Sequence, residues 1–133
     1  MKALSVMKKT KEVLTAWLNV VNKGEIENIL ALYNENAVLI PTFSNRVLDS
    51  RAKIRSYFEQ LRTRDRLSVD LHEKFVNVQK ITETIYALSG IYCWRFAVDG
   101  ELLSFEARFS FVLDLSLTSP IIHHHSSQIP RML

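Results

Sequence analysis

The sequence predicts an α+β fold, with amino-terminal helices laid on one face of a curved antiparallel sheet. Three observations predict it. Apolar residues recur at helical spacing as far as Leu61, and from Leu67 onward they alternate in a period of two. An Asp99-Gly100 pair separates two long alternating runs, the mark of a tight hairpin. Helices first and antiparallel strands afterwards is the element order of the α+β class. The length of 133 residues fits one domain, 1–133, able to bury a core without covalent staples.

Taken in order, residues 5–23 read as an amphipathic helix. Val13, Leu14, Trp17, Leu18 and Val21 share a face, and Gly24 is placed to end it. A second, short helix is predicted over EIENILALY, with Ile26, Ile29, Leu30 and Tyr33 on one side. AVLI is a short apolar strand stopped by Pro41, and TFSNRVLD is loop-like. Asp49 or Ser50 can cap a third helix in which Ile54, Tyr57, Phe58 and Leu61 follow the i, i+3, i+4, i+7 pattern. LSVDLHEKFVNVQKI is strand-like, with an irregularity near Phe75.

Hairpin arithmetic then assigns faces. With Asp99-Gly100 as the turn, Val98 opposes Glu101. Tyr92, Trp94 and Phe96 share a face with Phe105, Phe109 and Phe111, while Cys93 and Arg95 share the other with Glu106, Arg108 and Ser110. Packing alone predicts that the aromatic face meets the helices. An aromatic stripe can also serve self-association.

Composition excludes several classes. A hydrophobic content of 47% with 23% charge is that of a folded chain. No stretch is apolar enough to span a bilayer, and MKALSVMKKTKEVL lacks the pattern of a secretory leader, so membrane association is not expected and a cytoplasmic location is. The single cysteine, Cys93, rules out an intrachain disulfide. Residues 1–66 carry twelve Lys/Arg against seven Asp/Glu, but RTRDR follows a helix and holds Asp65. A solvated turn explains it better than a nucleic-acid surface.

The tail IIHHHSSQIP is the most unusual local feature. Neighbours in a strand point to opposite faces, so His123 and His125 share one face and His124 occupies the other. Three such residues cannot ligate one metal in a regular strand, and no nearby cluster completes a site. No metal and no cofactor are expected.

The tail, the segment LYNENAVLIPTFSNRV, the helix IRSYFEQL and the strand FEARFSFVL together resemble bacterial relatives of the association (hub) domain of calcium/calmodulin-dependent protein kinase II. That family lies in the nuclear transport factor 2-like, cystatin-like superfamily, and the resemblance covers roughly residues 8–130. No Gly-rich loop or HRD-type catalytic loop accompanies it, so the hub is implied without the kinase. The resemblance implies a cystatin-like cone with a pocket at one end, and a homodimer or higher oligomer as partner. It also implies that Arg108, in EARF, projects into the pocket and that Ser126, following the histidines, lines it. Where the kinase hubs carry a basic residue after H-x-H, this chain has Ser126. LDLSLTSPII departs from the charged turn that relatives carry.

On this basis the chain is expected to be a stand-alone, oligomerising, non-catalytic protein. Its pocket would bind a small anionic molecule, a carboxylate for choice, through Arg108, Glu106, His124, Ser126 and Tyr33. The aromatic stripe, on the family's arrangement, would then be convex and open to a dimer contact. The alternative is a small isomerase, dehydratase or cyclase with His124 as general base, Tyr33 or Tyr57 as donor and Glu106 as the paired carboxylate. The plainest reading of Arg108 and Glu106 is a salt bridge lining no pocket.

Overall fold

The computed structural model describes residues 2–130. Its elements are α1 (Lys2–Lys23), α2 (Ile26–Leu32), β1 (Tyr33–Ile40), α3 (Arg51–Leu61), β2 (Ser68–Leu71), β3 (Asn77–Lys80), β4 (Ile85–Val98), β5 (Glu101–Asp114) and β6 (Ile121–Gln128). The first helix stops where Gly24 takes φ +66, a conformation that costs glycine nothing. There Gly24 N–H donates to Val21 O and Glu25 N–H to Val20 O, the paired bonds of a Schellman cap. The second helix is shorter than its pattern suggests. Tyr33 turns extended (φ −92, ψ 129) and opens β1. Arg51 ties that transition down by donating to Leu30 O and Tyr33 O, each at 3.0 Å. Ser50 caps α3 by accepting from Lys53 N–H.

The strands form one curved sheet in the order β1-β6-β5-β4-β2, with β3 also pairing β4. Val98 opposes Glu101 and the β4–β5 ladder runs in register to Ile85 opposite Asp114. Asp99 and Gly100 both take positive φ, as a two-residue primed turn requires. The sheet is mixed rather than wholly antiparallel, because β1 lies parallel to β6. The irregularity near Phe75 is a short 3-10 turn, Glu73–Phe75.

The helices cover the aromatic face. Tyr92, Trp94, Phe109 and Phe111 are all buried, and they pack against Trp17 and its neighbours on α1. The convex, dimer-facing stripe implied by the family resemblance is therefore corrected: that face is the core, because rings of this size gain most by leaving water against α1. Gly90 belongs to the same packing. A side chain there would meet the Phe109 ring and the Phe75 carbonyl at 3.0 Å. At the free edge of β2, the Asn22 amide stands in for a missing strand, accepting from Val69 N–H (2.8 Å) and donating to Val69 O (2.9 Å).

Phe109 stacks on Tyr92 with centroids 4.6 Å apart and is almost wholly buried. A Phe109→Glu variant should therefore lose cooperative thermal unfolding followed by circular dichroism, since it buries an unpaired charge. A folded but monomeric variant would contradict this placement.

Candidate functional site

The register decides which of the expected site residues meet. In the β5–β6 ladder Phe111 opposes His124, Phe109 opposes Ser126 and Arg108 opposes Ser127. Cross-strand partners share a face, so His124 and Ser126 point inward with the aromatics, and Arg108 points outward. Glu106 is exposed on the outer face with it. The expected convergence of Arg108 and Glu106 on His124 and Ser126 is thus not formed. The register of this antiparallel pair sets even-numbered residues of β5 opposite odd-numbered residues of β6. Among the described residues no ion pair joins Arg108 to Glu106; Glu106 Oε1 instead lies 3.5 Å from His72 Nε2.

Tyr33 and His124 do meet. His124 is 2% exposed, with Tyr33 Oη 2.8 Å from Nδ1 and Tyr92 Oη 3.2 Å from Nε2. Trp17 Nε1–H donates to the same Tyr33 oxygen at 3.0 Å. The imidazole stacks on Phe111 at 3.9 Å, and Trp17 meets it edge-on at 5.3 Å. Burial, with the neighbouring His123 and His125 charges behind it, drives the His124 pKa well below 6.5, so the ring is neutral in the folded state. Burial likewise raises Tyr33 well above its ordinary range. His123 and His125 lie on the opposite face, where His125 Nε2 is 2.9 Å from Ser127 Oγ. Among the described residues no group of three His, Cys, Asp or Glu side chains is placed to hold a metal.

Near the surface Thr42 and Ser126 share a short hydrogen bond. Trp94 Nε1–H is a buried donor with no hydrogen-bond partner among the described residues. Thr42 and Ser126 border a surface groove of about 270 Å³ that also takes in Arg46 and Gln128.

A larger cleft, of about 520 Å³, opens between α3 and the loop joining β1 to it. Arg46, Lys53 and Arg64 line it above Phe43, Tyr57 and Leu61, and no acidic side chain is on its wall. Lys53 reaches Asp49 at 2.8 Å, while Arg64 lies 5.4 Å over the Phe96 ring. Tyr57 Oη accepts from Phe43 N–H at 3.4 Å, and burial raises the Tyr57 pKa above its ordinary range. The sequence pattern missed this grouping. RTRDR was legible as a basic turn, but Arg46 comes from a loop whose path no periodicity describes.

Comparison with known proteins agrees with the geometry of the fold. Residues 7–130 match the family described as calcium/calmodulin dependent protein kinase II association domain, and the chain belongs to that family. A crystal structure from Xanthomonas campestris, assigned to the same association domain, superposes with a TM-score of 0.83 at 26% identity, covering 93% of this chain and 88% of the other. A nuclear transport factor 2-like protein with a cystatin-like fold from Novosphingobium aromaticivorans superposes with a TM-score of 0.80 at 12% identity, over 98% and 86% of the two chains. A Streptomyces avermitilis protein assigned as a dehydratase of the nuclear transport factor 2-like family gives 0.81 at 12% identity, over 94% and 97%. The last two establish the fold alone. No curated protein matches the chain. No helix among the described residues is long and apolar enough to cross a membrane.

The buried neutral His124 carries a pH dependence with a definite sign. Below about 6.5 the unfolded chain takes up a proton that the folded chain refuses, so stability falls as pH drops from there toward the depressed folded value. The slope reaches about 1.4 kcal/mol per pH unit. Urea midpoints measured between pH 7 and pH 5 should show this loss. A His124→Asn variant, although less stable throughout, should lose that part of the slope.

Proposed function

We propose that this chain is a non-catalytic assembly domain that binds a small carboxylate in the cleft between α3 and the preceding loop. The observation that supports it is the convergence of Arg46, Lys53 and Arg64 on one concavity with no acidic wall residue. Guanidinium groups offer a planar fork matched to a carboxylate, and the Phe43 and Leu61 surfaces suit a short apolar body. The ligand class expected from the sequence is thereby kept, but its cations are not Arg108. Replacing Arg46 and Arg64 together by Gln should weaken butyrate binding, read by calorimetry, by on the order of 10- to 100-fold, at about tenfold per 1.4 kcal/mol. Arg108→Met should leave it unchanged. Equal affinity in the double variant would remove the proposal.

Self-association is the second part of this reading, and the family description supports it. With the aromatics buried, the exposed outer face of β5 and β6 becomes the candidate surface. There a two-fold arrangement would let Arg108 of one copy meet Glu106 of the other. Sedimentation at tens of micromolar should give a dimer or larger species, shifted toward monomer by Arg108→Glu with the fold retained. A wild-type monomer at that concentration would end this part of the reading.

A catalytic reading rests on a different observation, the buried neutral His124 held between the hydroxyls of Tyr33 and Tyr92. As a general base of an isomerase, dehydratase or cyclase it would have to act through those hydroxyls, because His124 lines neither the cleft nor the groove. Both ring nitrogens are engaged by tyrosines, which supports the non-catalytic reading over this one.

A further inference from the structure

We infer that the free edge of β3 is a self-association surface, on which β3 of a second copy adds antiparallel about a two-fold axis at Val78. This contact is separate from the outer-face contact proposed above and uses neither Arg108 nor Glu106.

The free main-chain groups are identified by alternation, since successive residues of an antiparallel strand turn their N–H and C=O to opposite sides. Ile81 N–H donates to Ile85 O at 2.9 Å, in the same register that sets Gln79 opposite Ala87 and Asn77 opposite Ser89. Asn77 and Gln79 therefore spend their main-chain groups on β4, and Val78 and Lys80 turn theirs outward. The same alternation explains β2. There His72 N–H donates to Ile91 O, and the outward residue is Val69, whose N–H and C=O are both taken by the Asn22 amide. No such clamp covers Val78 or Lys80 among the described residues. Beside this open edge stand two large apolar side chains, Phe75 at 55% and Ile81 at 60% exposure. An unclamped edge flanked by exposed apolar groups is a template for another strand.

The chain's own sequence argues that the added strand is a second copy. Bonded pairs across the new ladder must join outward residues, which are Val78, Lys80 and, by continuation through its extended backbone, Val76. A two-fold axis at Val78 pairs Val78 with itself and Val76 with Lys80 of the second copy. It also sets Asn77 opposite Gln79 of the second copy, two exposed amides able to bond each other, and Phe75 opposite Ile81 of the second copy. The half-buried Val76 and Val78, which pack on the core, meet their equivalents and continue the apolar inner face across the axis. Shifting the axis loses this match. At Asn77 it brings Lys74 opposite Lys80, and at Gln79 it brings Phe75 opposite Glu83. The contact is isologous, so it closes on itself without leaving a further edge of β3 to propagate.

Cross-linking of the full chain reads this register directly. Asn77 and Gln79 of the two copies form a non-bonded pair, whose Cα separation of about 4.5 Å suits a disulfide. Asn77→Cys and Gln79→Cys are made as separate variants and held in a glutathione redox buffer; the buried Cys93 of the unaltered chain serves as the blank. A mixture of the two variants should give at least fivefold more disulfide-linked dimer than either alone. Linkage in Asn77→Cys alone, in Gln79→Cys alone, or in none of the three samples would overturn the inference. Lys80→Pro removes an outward N–H and leaves the β3–β4 ladder whole, so adding it to both variants should cut the linkage at least fivefold. Where that change prevents folding, Ile81→Glu, at an exposed side chain, reads the same quantity. Undiminished linkage in the folded variant would refute edge pairing. Arg108→Glu separates the two contacts. Linkage that persists with it supports the edge contact whatever becomes of the outer-face reading, and linkage lost with it would refute an independent edge contact.

Discussion

The seat of Trp17 on the sheet is the contact on which the rest of the structure depends. Its indole is fully buried, stacked on Tyr92 at 5.5 Å and meeting Trp94 and Phe111 edge-on. Removing a side chain of this kind from a core typically costs about 3–5 kcal/mol, a large share of the stability of a chain this size. The same ring carries one polar atom, and a buried indole N–H needs an acceptor. Tyr33 supplies it, which is why β1 begins where α2 ends, with Tyr33 turned inward at the junction. Helix docking, strand entry and the polar chain through His124 are thus consequences of one placement.

A polar chain inside an aromatic core is tolerated when each link is satisfied, and it becomes costly where one is not. From Trp17 to Tyr92 the links close. Near the surface they do not, and the unpartnered Trp94 N–H lies there. Burial keeps His124 neutral and its tyrosine partners protonated, so the chain carries no formal charge through the interior. Charge is confined to the rim, where Arg46, Lys53 and Arg64 remain in contact with water. This division avoids the desolvation cost that an inward Arg108 would have incurred.

The two faces of the β4–β5–β6 sheet take separate tasks for the same reason. The inner face is consumed by packing, apart from His124 and Ser126. The outer face holds small and charged groups, among them Ser104, Ser110, Arg108 and Glu106, and is open to solvent. Asn22 clamps the β2 edge, so a route to assembly by strand addition there is already occupied.

The amino-acid sequence by itself determined the order of elements, the Asp99-Gly100 hairpin and its register, and the division of β4 and β5 into an aromatic and a mixed face. Each depends on neighbours in the chain: helical spacing, turn chemistry and the period of two. It determined also that His124 opposes His123 and His125. Only the tertiary structure decided which sheet face meets α1, because parity sorts residues into two sets without saying which set is inside. It alone decided that β5 and β6 pair with an odd sum of residue numbers, which turned Arg108 away from His124. The approach of Trp17 to Tyr33, of Thr42 to Ser126 and of Arg46 to Arg64 joins segments far apart in the chain. Such meetings are set by how the helices and the β1–α3 loop close over the curved sheet, and no local pattern records that geometry.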